Sequence, residues 1–286
     1  MINWFLRHKT RNTNSRNINS QEIYHSEKVL FALFTRYGDT IINLVVIREF
    51  IKKYPNKNYL ILCPEQMEPY VNELMPGVWC ITINKRNFFQ MRRVIQTLKS
   101  WKPDIGFNPW SNGLDSCYFL TFCKLYNCYK DFQRSSIVNH YQVVRKYFDL
   151  PEPKWMITQP KFEKGRIKNI LICPQSTDIK RSISESELNN LIQDLKQFKP
   201  VEITIASMDR EFHRDEFDSF LFKKNKESSL AFLKLVKDAN LVLSCDSGPL
   251  HIALALEKPV WAYFKITQPE VVLNSQAELR IFRIKN

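Results

Sequence analysis

The sequence predicts an α/β protein made of two Rossmann-like domains facing a cleft, and three observations carry that prediction. From residue 28 onward, short apolar runs of β type alternate with stretches of helical spacing. The alternation breaks once, at a proline-rich stretch beginning at Pro151, and then restarts. Polar residues collect in the turns after the apolar runs, above all at Asp246-Ser247-Gly248. Alternating strand and helix implies a mostly parallel sheet covered by helices, and in such sheets ligands sit at the carboxyl ends of the strands.

Residues 29–34 form an unbroken apolar run, as expected of a strand buried on both faces. Arg36-Tyr37-Gly38-Asp39 ends it. Ile41, Ile42, Leu44, Val45, Ile47, Phe50, Ile51 and Tyr54 then recur at helical spacing, and the helix stops before Pro55. Residues 59–63 and 78–83 read as strands, 88–101 as a helix and 104–107 as a strand, with helices near 114–127 and 136–148. Pro151, Pro153 and Pro160 then forbid regular structure, because proline lacks an N–H and restricts the residue before it. The pattern resumes with a strand at 167–173, a helix near 184–198 and a strand at 201–206. It ends in the run at 241–243, a small-residue helix at 252–256 and a strand at 260–264. The predicted organisation is a basic N-terminal tail (1–27), a first domain (28–150), a linker (151–166) and a second domain (167–286).

The 286 residues suffice for two domains with cores of their own, and 44% hydrophobic with 25% charged content is that of a globular protein. No apolar run approaches the roughly 18 to 20 residues that span a bilayer. Trp4-Phe5-Leu6 is too short for the apolar region of a secretory signal, so a cytoplasmic chain is expected. The seven cysteines form no C-x-x-C pair, and reduced structural thiols are expected. No histidine or carboxylate spacing suggests a metal site, and no cofactor is expected. The net charge of +13 calls for a polyanionic partner: nucleic acid, an anionic membrane leaflet or a phosphorylated substrate. Arg7, Lys9, Arg11 and Arg16 behind Trp4-Phe5-Leu6 fit either a disordered basic tail or a segment lying on a membrane. Phe88-Phe89 with Arg92-Arg93 fits either contact with a polyanion or a helix with one apolar and one basic face.

Two strand-to-helix turns hold the main candidates for chemistry. In Asp246-Ser247-Gly248-Pro249-Leu250-His251, Gly248 permits close backbone approach to a ligand, and Ser247 can cap the helix or donate to a phosphate oxygen. Asp246 can reach a sugar hydroxyl or brace the turn. His251, one helical turn after Gly248, can face the same ligand or be an ordinary hydrogen-bonded core histidine. Gly38-Asp39-Thr40 repeats the theme in the first domain, where Asp39 either caps the helix or faces the cleft.

Asp246-Ser247-Gly248-Pro249-Leu250-His251-Ile252-Ala253, then Ala255-Leu256 and Pro259, resembles the nucleotide-sugar motif of glycosyltransferase family 9, the bacterial heptosyltransferases. Residues 36–53 resemble that family's opening motif. The resemblance implies the GT-B architecture and, for Asp39, the role of catalytic base, with Gly38 allowing close backbone approach. It also implies diphosphate contacts from Ser176, Thr177 and Lys180, with Arg181 as a further candidate, and a donor cradle from Asp246, Ser247, Gly248 and His251. Order along the chain points to Glu211 as the ribose contact, with Asp209 as substitute. Where the family commonly continues with Gly-Pro-Thr, this chain has Phe264-Lys265-Ile266-Thr267.

The expected function is therefore an inverting, metal-independent glycosyltransferase. It would move a sugar, heptose foremost, from a nucleotide-diphosphate sugar such as ADP-heptose. The acceptor would be a lipopolysaccharide core or another surface glycan at the inner membrane face. The alternative is a non-catalytic basic protein binding nucleic acid or a membrane surface on an α/β scaffold. Nucleic acid is not expected as a partner, because the aromatics mostly occupy periodic apolar positions rather than alternating with basic residues.

Overall fold

The structure is a computed structural model that describes residues 17–84, 87–109, 114–128, 140–150, 167–195, 202–212, 214–273 and 279–283. The chain divides into two compact units, Met1–Glu152 and Pro153–Asn286. The predicted linker and residues 1–16 of the predicted tail lie outside the described residues.

The first unit holds five parallel strands: β1 (Lys28–Ala32), β2 (Asn58–Pro64), β3 (Trp79–Ile83), β4 (Ile105–Asn108) and β5 (Leu125–Cys128), in the order β3-β2-β1-β4-β5. Its helices are α1 (Ser20–His25), α2 (Tyr37–Lys53), α3 (Glu68–Leu74), α4 (Phe88–Trp101), α5 (Leu114–Leu120) and α6 (His140–Tyr147). The apolar run of β1 is buried on both faces, as its lack of alternation predicts. Leu30 and Ala32 meet Val94 and Leu98 of α4 and Phe119 and Leu120 of α5. On the opposite face Phe31 stacks on Phe107, ring centroids 5.9 Å apart, and meets Phe50 and Phe148 edge-on. Each such ring, fully buried, stabilises by about 1.5–3 kcal/mol, and each favourable ring pair adds about 0.5–1.5 kcal/mol. Helix α2 is buried nearly all round from Thr40 to Ile47, which explains why its sequence is apolar on every side.

The predicted helix over 114–127 is corrected. It stops at Leu120, and Leu125–Cys128 form the edge strand β5. The Cys123 N–H closes a turn onto the Leu120 carbonyl, and Lys124 and Leu125 then donate to the carbonyls of Pro103 and Asp104 beside β4. Backbone groups thus find partners in the sheet that a continued helix would not use. Gly106 of β4 makes room for the turn, since a Cβ there would lie 2.4 Å from Cys123 Sγ. Helix α1, not predicted, follows a capping box between Asn19 and Glu22 and buries Ile23.

The second unit holds six parallel strands: β6 (Asn169–Cys173), β7 (Glu202–Ser207), β8 (Asp218–Leu221), β9 (Leu241–Cys245), β10 (Val260–Phe264) and β11 (Leu279–Arg283), ordered β11-β10-β9-β6-β7-β8. Its helices are α7 (Glu185–Leu195), α8 (Lys226–Asp238), α9 (Gly248–Ala255) and α10 (Pro269–Val272). Leu188, Leu191, Ile192 and Leu195 of α7 pack on Ile170, Ile172, Ile205 and Leu243 of the sheet. In both sheets the strand order reverses beside the first strand, between β1 and β4 and between β6 and β9. These are the switch points where loops diverge and leave room for a ligand.

Cys63, Cys80, Cys123, Cys173 and Cys245 are free thiols. Burial raises the pKa of Cys173 and pushes that of Cys245 up to about 12, so both are inert. Cys117 departs from the predicted set of reduced thiols, being disulfide-bonded. Pairing depends on tertiary proximity, which sequence spacing does not show.

Candidate functional site

In the second unit, the loops after β6 and β9 flank the switch point, and they carry most of the predicted residues. Strand β9 delivers Asp246 and Ser247, and α9 begins at Gly248. Ser247 occupies the N-cap position but makes no capping bond. Its hydroxyl lies 3.3 Å from the Cys245 carbonyl and from the Ser244 hydroxyl instead. Pro249 suits the first turn, where its missing N–H costs no helical bond. The first-turn amides of α9 are therefore left by the side chains for an anion. Gly248 is helical rather than left-handed, and the positive-φ glycine among the described residues is Gly77.

Asp246 is buried, and Arg181 Nη1 donates to its Oδ2 at 3.1 Å. This ion pair joins the β9 turn to the short helical turn Ile179–Arg181 in the loop after β6. Asp178 caps that turn by accepting from the Lys180 N–H, and its carboxylate lies 3.8 Å from Arg181 Nε. His251, in the first turn of α9, is buried. Burial and the Arg181 charge push its pKa down to about 4, against the opposing pull of Asp246. The imidazole is therefore neutral at pH 7, a hydrogen-bonding group rather than a cation.

The predicted diphosphate residues share the β6 loop but differ in setting. Ser176 is buried; its N–H donates to Ser182 Oγ at 2.9 Å, which shapes the loop. Thr177 and Lys180 are exposed. At the end of β7, Gln175 accepts from the N–H groups of Met208 and Asp209 and pairs with the Asp209 carboxylate. Asp209 is thereby committed, whereas Glu211 stands exposed in the turn Arg210–Phe212. Where this chain departs from the family pattern, Lys265 Nζ lies 2.6 Å from the Glu187 carboxylate at the start of α7. Burial would raise the Glu187 pKa, but bonds from Lys265 and Ser184 outweigh it and hold the carboxyl below its usual range. Lys265 is thus bound to α7.

In the first unit, Gly38 and Asp39 lie in the first turn of α2, after the β1 end of the switch point. Arg36 is the N-cap residue, and its side chain makes no capping bond. Its Oδ1 lies 3.5 Å from Nδ1 of His140, the buried first residue of α6. An ion pair between buried Arg145 and half-buried Glu49 also ties α6 to α2. The Asp39 side chain is about 30% exposed.

Sequence reasoning did not find His140, Gln175 or the Lys265–Glu187 pair. Their partners are 101, 34 and 78 positions away by residue number, and no local pattern signals such pairings. Among the described residues no group of three or more His, Cys, Asp or Glu is placed to hold a metal ion, and His8 and His213 lie outside them.

Comparison with known proteins agrees with the fold. Among curated proteins none matches. Among solved structures, the E. coli ADP-heptose lipopolysaccharide heptosyltransferase II has a TM-score of 0.67 at 15% identity, covering 90% of each chain. E. coli heptosyltransferase WaaC with ADP has a TM-score of 0.63 at 13% identity, covering 89% of this chain and 92% of that one. A family 9 glycosyltransferase from Veillonella parvula has a TM-score of 0.63 at 13% identity, covering 95% of this chain and 88% of that one. At such identities the likeness shows the fold, which is the two-sheet architecture predicted from the sequence. The family model of glycosyltransferase family 9 (heptosyltransferase) matches residues 129–285, more than half of the chain, including every candidate residue from Ser176 to His251. With the switch-point loops built as described, this chain belongs to glycosyltransferase family 9, the heptosyltransferase family.

Proposed function

We propose that this chain is an inverting glycosyltransferase that moves a sugar, heptose foremost, from a nucleotide-diphosphate donor to a lipopolysaccharide core sugar or another surface glycan. ADP-heptose is the favoured donor, in keeping with the ADP bound to heptosyltransferase WaaC. Family membership makes the chain an enzyme and sets aside the non-catalytic alternative.

The observation that carries the reading is the Arg181–Asp246 ion pair. It holds a loop bearing Lys180 beside a side-chain-uncapped helix start at the switch point. A leaving diphosphate gains negative charge as the glycosidic bond to phosphate breaks. Lys180, Arg181 and the α9 amides stabilise that charge without requiring a metal. Asp39 takes the acceptor hydroxyl proton as the oxygen attacks the anomeric carbon from the face opposite the leaving group, so the configuration inverts. Ser176 and Thr177 shape and line the diphosphate loop, and Glu211 meets the ribose. Ser247 and Gly248 form the floor of the donor site, and neutral His251 supplies a hydrogen bond there. Gly38 leaves the Asp39 turn without a side chain. The acceptor reaches the protein at the cytoplasmic face of the inner membrane; no helix among the described residues is long and apolar enough to cross a membrane.

The test is thermal stabilisation by ADP-, UDP-, GDP- and CMP-sugars, followed by transfer assays with and without a chelator. ADP-heptose is expected to raise the melting temperature, and Lys180→Ala to weaken its binding about tenfold, the effect of losing one charged hydrogen bond. Transfer is expected to survive the chelator. Absence of any shift with every nucleotide sugar refutes the proposal.

A further inference from the structure

The sequence left two readings for Phe88-Phe89 and Arg92-Arg93: a polyanion contact, or one helix with an apolar and a basic face. The structure separates them. Helix α4 turns Val94 and Leu98 into the core of the first unit. Phe88 and Phe89 do not join that face; they are 64% and 80% exposed and pack edge-on against each other. They lie on the solvent side with Arg92, Arg93, Gln96 and Lys99, all of them exposed. The apolar rings therefore belong to the basic face.

That face is held in place rather than loosely tethered. Asn87 caps α4 by accepting from the Gln90 N–H. The Gln90 side chain accepts from the Asn84 N–H and donates to the Thr82 carbonyl and to Glu65. Between Asn84 and Pro103 the sequence carries six cations (Lys85, Arg86, Arg92, Arg93, Lys99 and Lys102) and no acid. Helix α4 follows the carboxyl end of β3, two strands across the sheet from β1, after which Asp39 stands. At about 4.8 Å per strand, β3 and β1 are about 10 Å apart, and α4 covers the sheet face of Leu30 and Ala32 while Phe50 of α2 packs on the opposite face against Phe31.

We infer that the solvent face of α4 is a membrane-docking surface that seats the first unit on an anionic bilayer. Phe88 and Phe89 enter the boundary between headgroups and acyl chains, and Arg92, Arg93 and Lys99 pair with lipid phosphates. The charge pattern and the paired exposed rings favour a bilayer over other polyanions, because a soluble polyanion offers no apolar layer for the rings. Docking stands apart from the proposed reaction, and its readout is binding, which does not depend on transfer.

The experiment is co-sedimentation of the full chain with phosphatidylcholine vesicles, alone and with about one-third phosphatidylglycerol. Wild type is expected to bind the anionic vesicles at least tenfold more tightly, and less so as salt is raised. Phe88→Ser with Phe89→Ser, and separately Arg92→Gln with Arg93→Gln, are each expected to weaken that binding about tenfold or more. Their circular dichroism and melting temperature are expected to stay at wild-type values, since the changed side chains are exposed. Unchanged vesicle binding by both double variants overturns the inference and places any membrane contact elsewhere in the chain. Loss of binding to a single-stranded RNA oligonucleotide, with wild type ignoring vesicles, also overturns it and makes α4 a nucleic-acid face. Loss of sugar transfer with vesicle binding intact leaves the docking surface standing and counts against the proposed reaction alone.

Discussion

Replacing Arg181 with methionine removes the cation but keeps much of the side-chain volume, leaving Asp246 buried without its ion-pair partner. The two partners are unequally placed: the Arg181 side chain is 25% exposed and that of Asp246 5%. At 3.1 Å and an effective dielectric of about 20, their gross attraction is about 5 kcal/mol. Desolvation and the partial exposure of Arg181 reduce the net value, and breaking a buried pair by removing one partner typically costs about 3–5 kcal/mol. We expect Arg181→Met to destabilise by about 3 kcal/mol, a fall in melting temperature of about 6–12 °C at 2–4 °C per kcal/mol. Asp246→Asn should cost less, about 1 kcal/mol, because Arg181 can turn to water and to Asp178. The assay is urea and thermal unfolding of wild type, both single variants and the double variant, closed as a double-mutant cycle. Equal costs for the two single variants, or a coupling below about 0.5 kcal/mol, would refute this account of the pair.

Asp39→Asn is expected to preserve ADP-heptose binding, whose proposed contacts lie in the second unit, and to slow transfer by about 10²–10⁴-fold; a near-normal rate would show that another group is the base. His251 has a folded-state pKa of about 4 against 6.5 unfolded, so between those values the unfolded chain holds a proton that the folded one lacks. Stability should therefore fall as the pH drops through that window, with His251 accounting for about 2 kcal/mol between pH 7 and 5. Urea midpoints across this range should fall less steeply for His251→Asn, and parallel slopes would mean that His251 is not buried in its neutral form.

The uninterrupted apolar run at 29–34 predicted a doubly covered strand because a sheet buried on both faces needs no polar alternation, and β1 is such a strand. The segment 114–127 failed for a related reason. Its apolar spacing suits a helix, but the backbone groups of Lys124 and Leu125 find carbonyl partners beside β4, across the sheet. Short edge elements such as β8 and β11 carry weak periodicity, and their existence depends on a neighbouring strand with groups to pair.

The sequence by itself determined the fold class, the break between two α/β blocks and the turn from Asp246 to His251, since these follow from local periodicity, proline chemistry and adjacent residues. It also placed Gly38-Asp39 at a helix start. Only the tertiary structure decided how those residues are engaged. It pairs Asp246 with Arg181 across 65 positions, brings His140 to Asp39, binds Lys265 to Glu187 and turns Phe88 and Phe89 outward. Ion pairs and burial depend on which elements the sheet order brings side by side, and side-chain spacing along the chain carries no record of those distances.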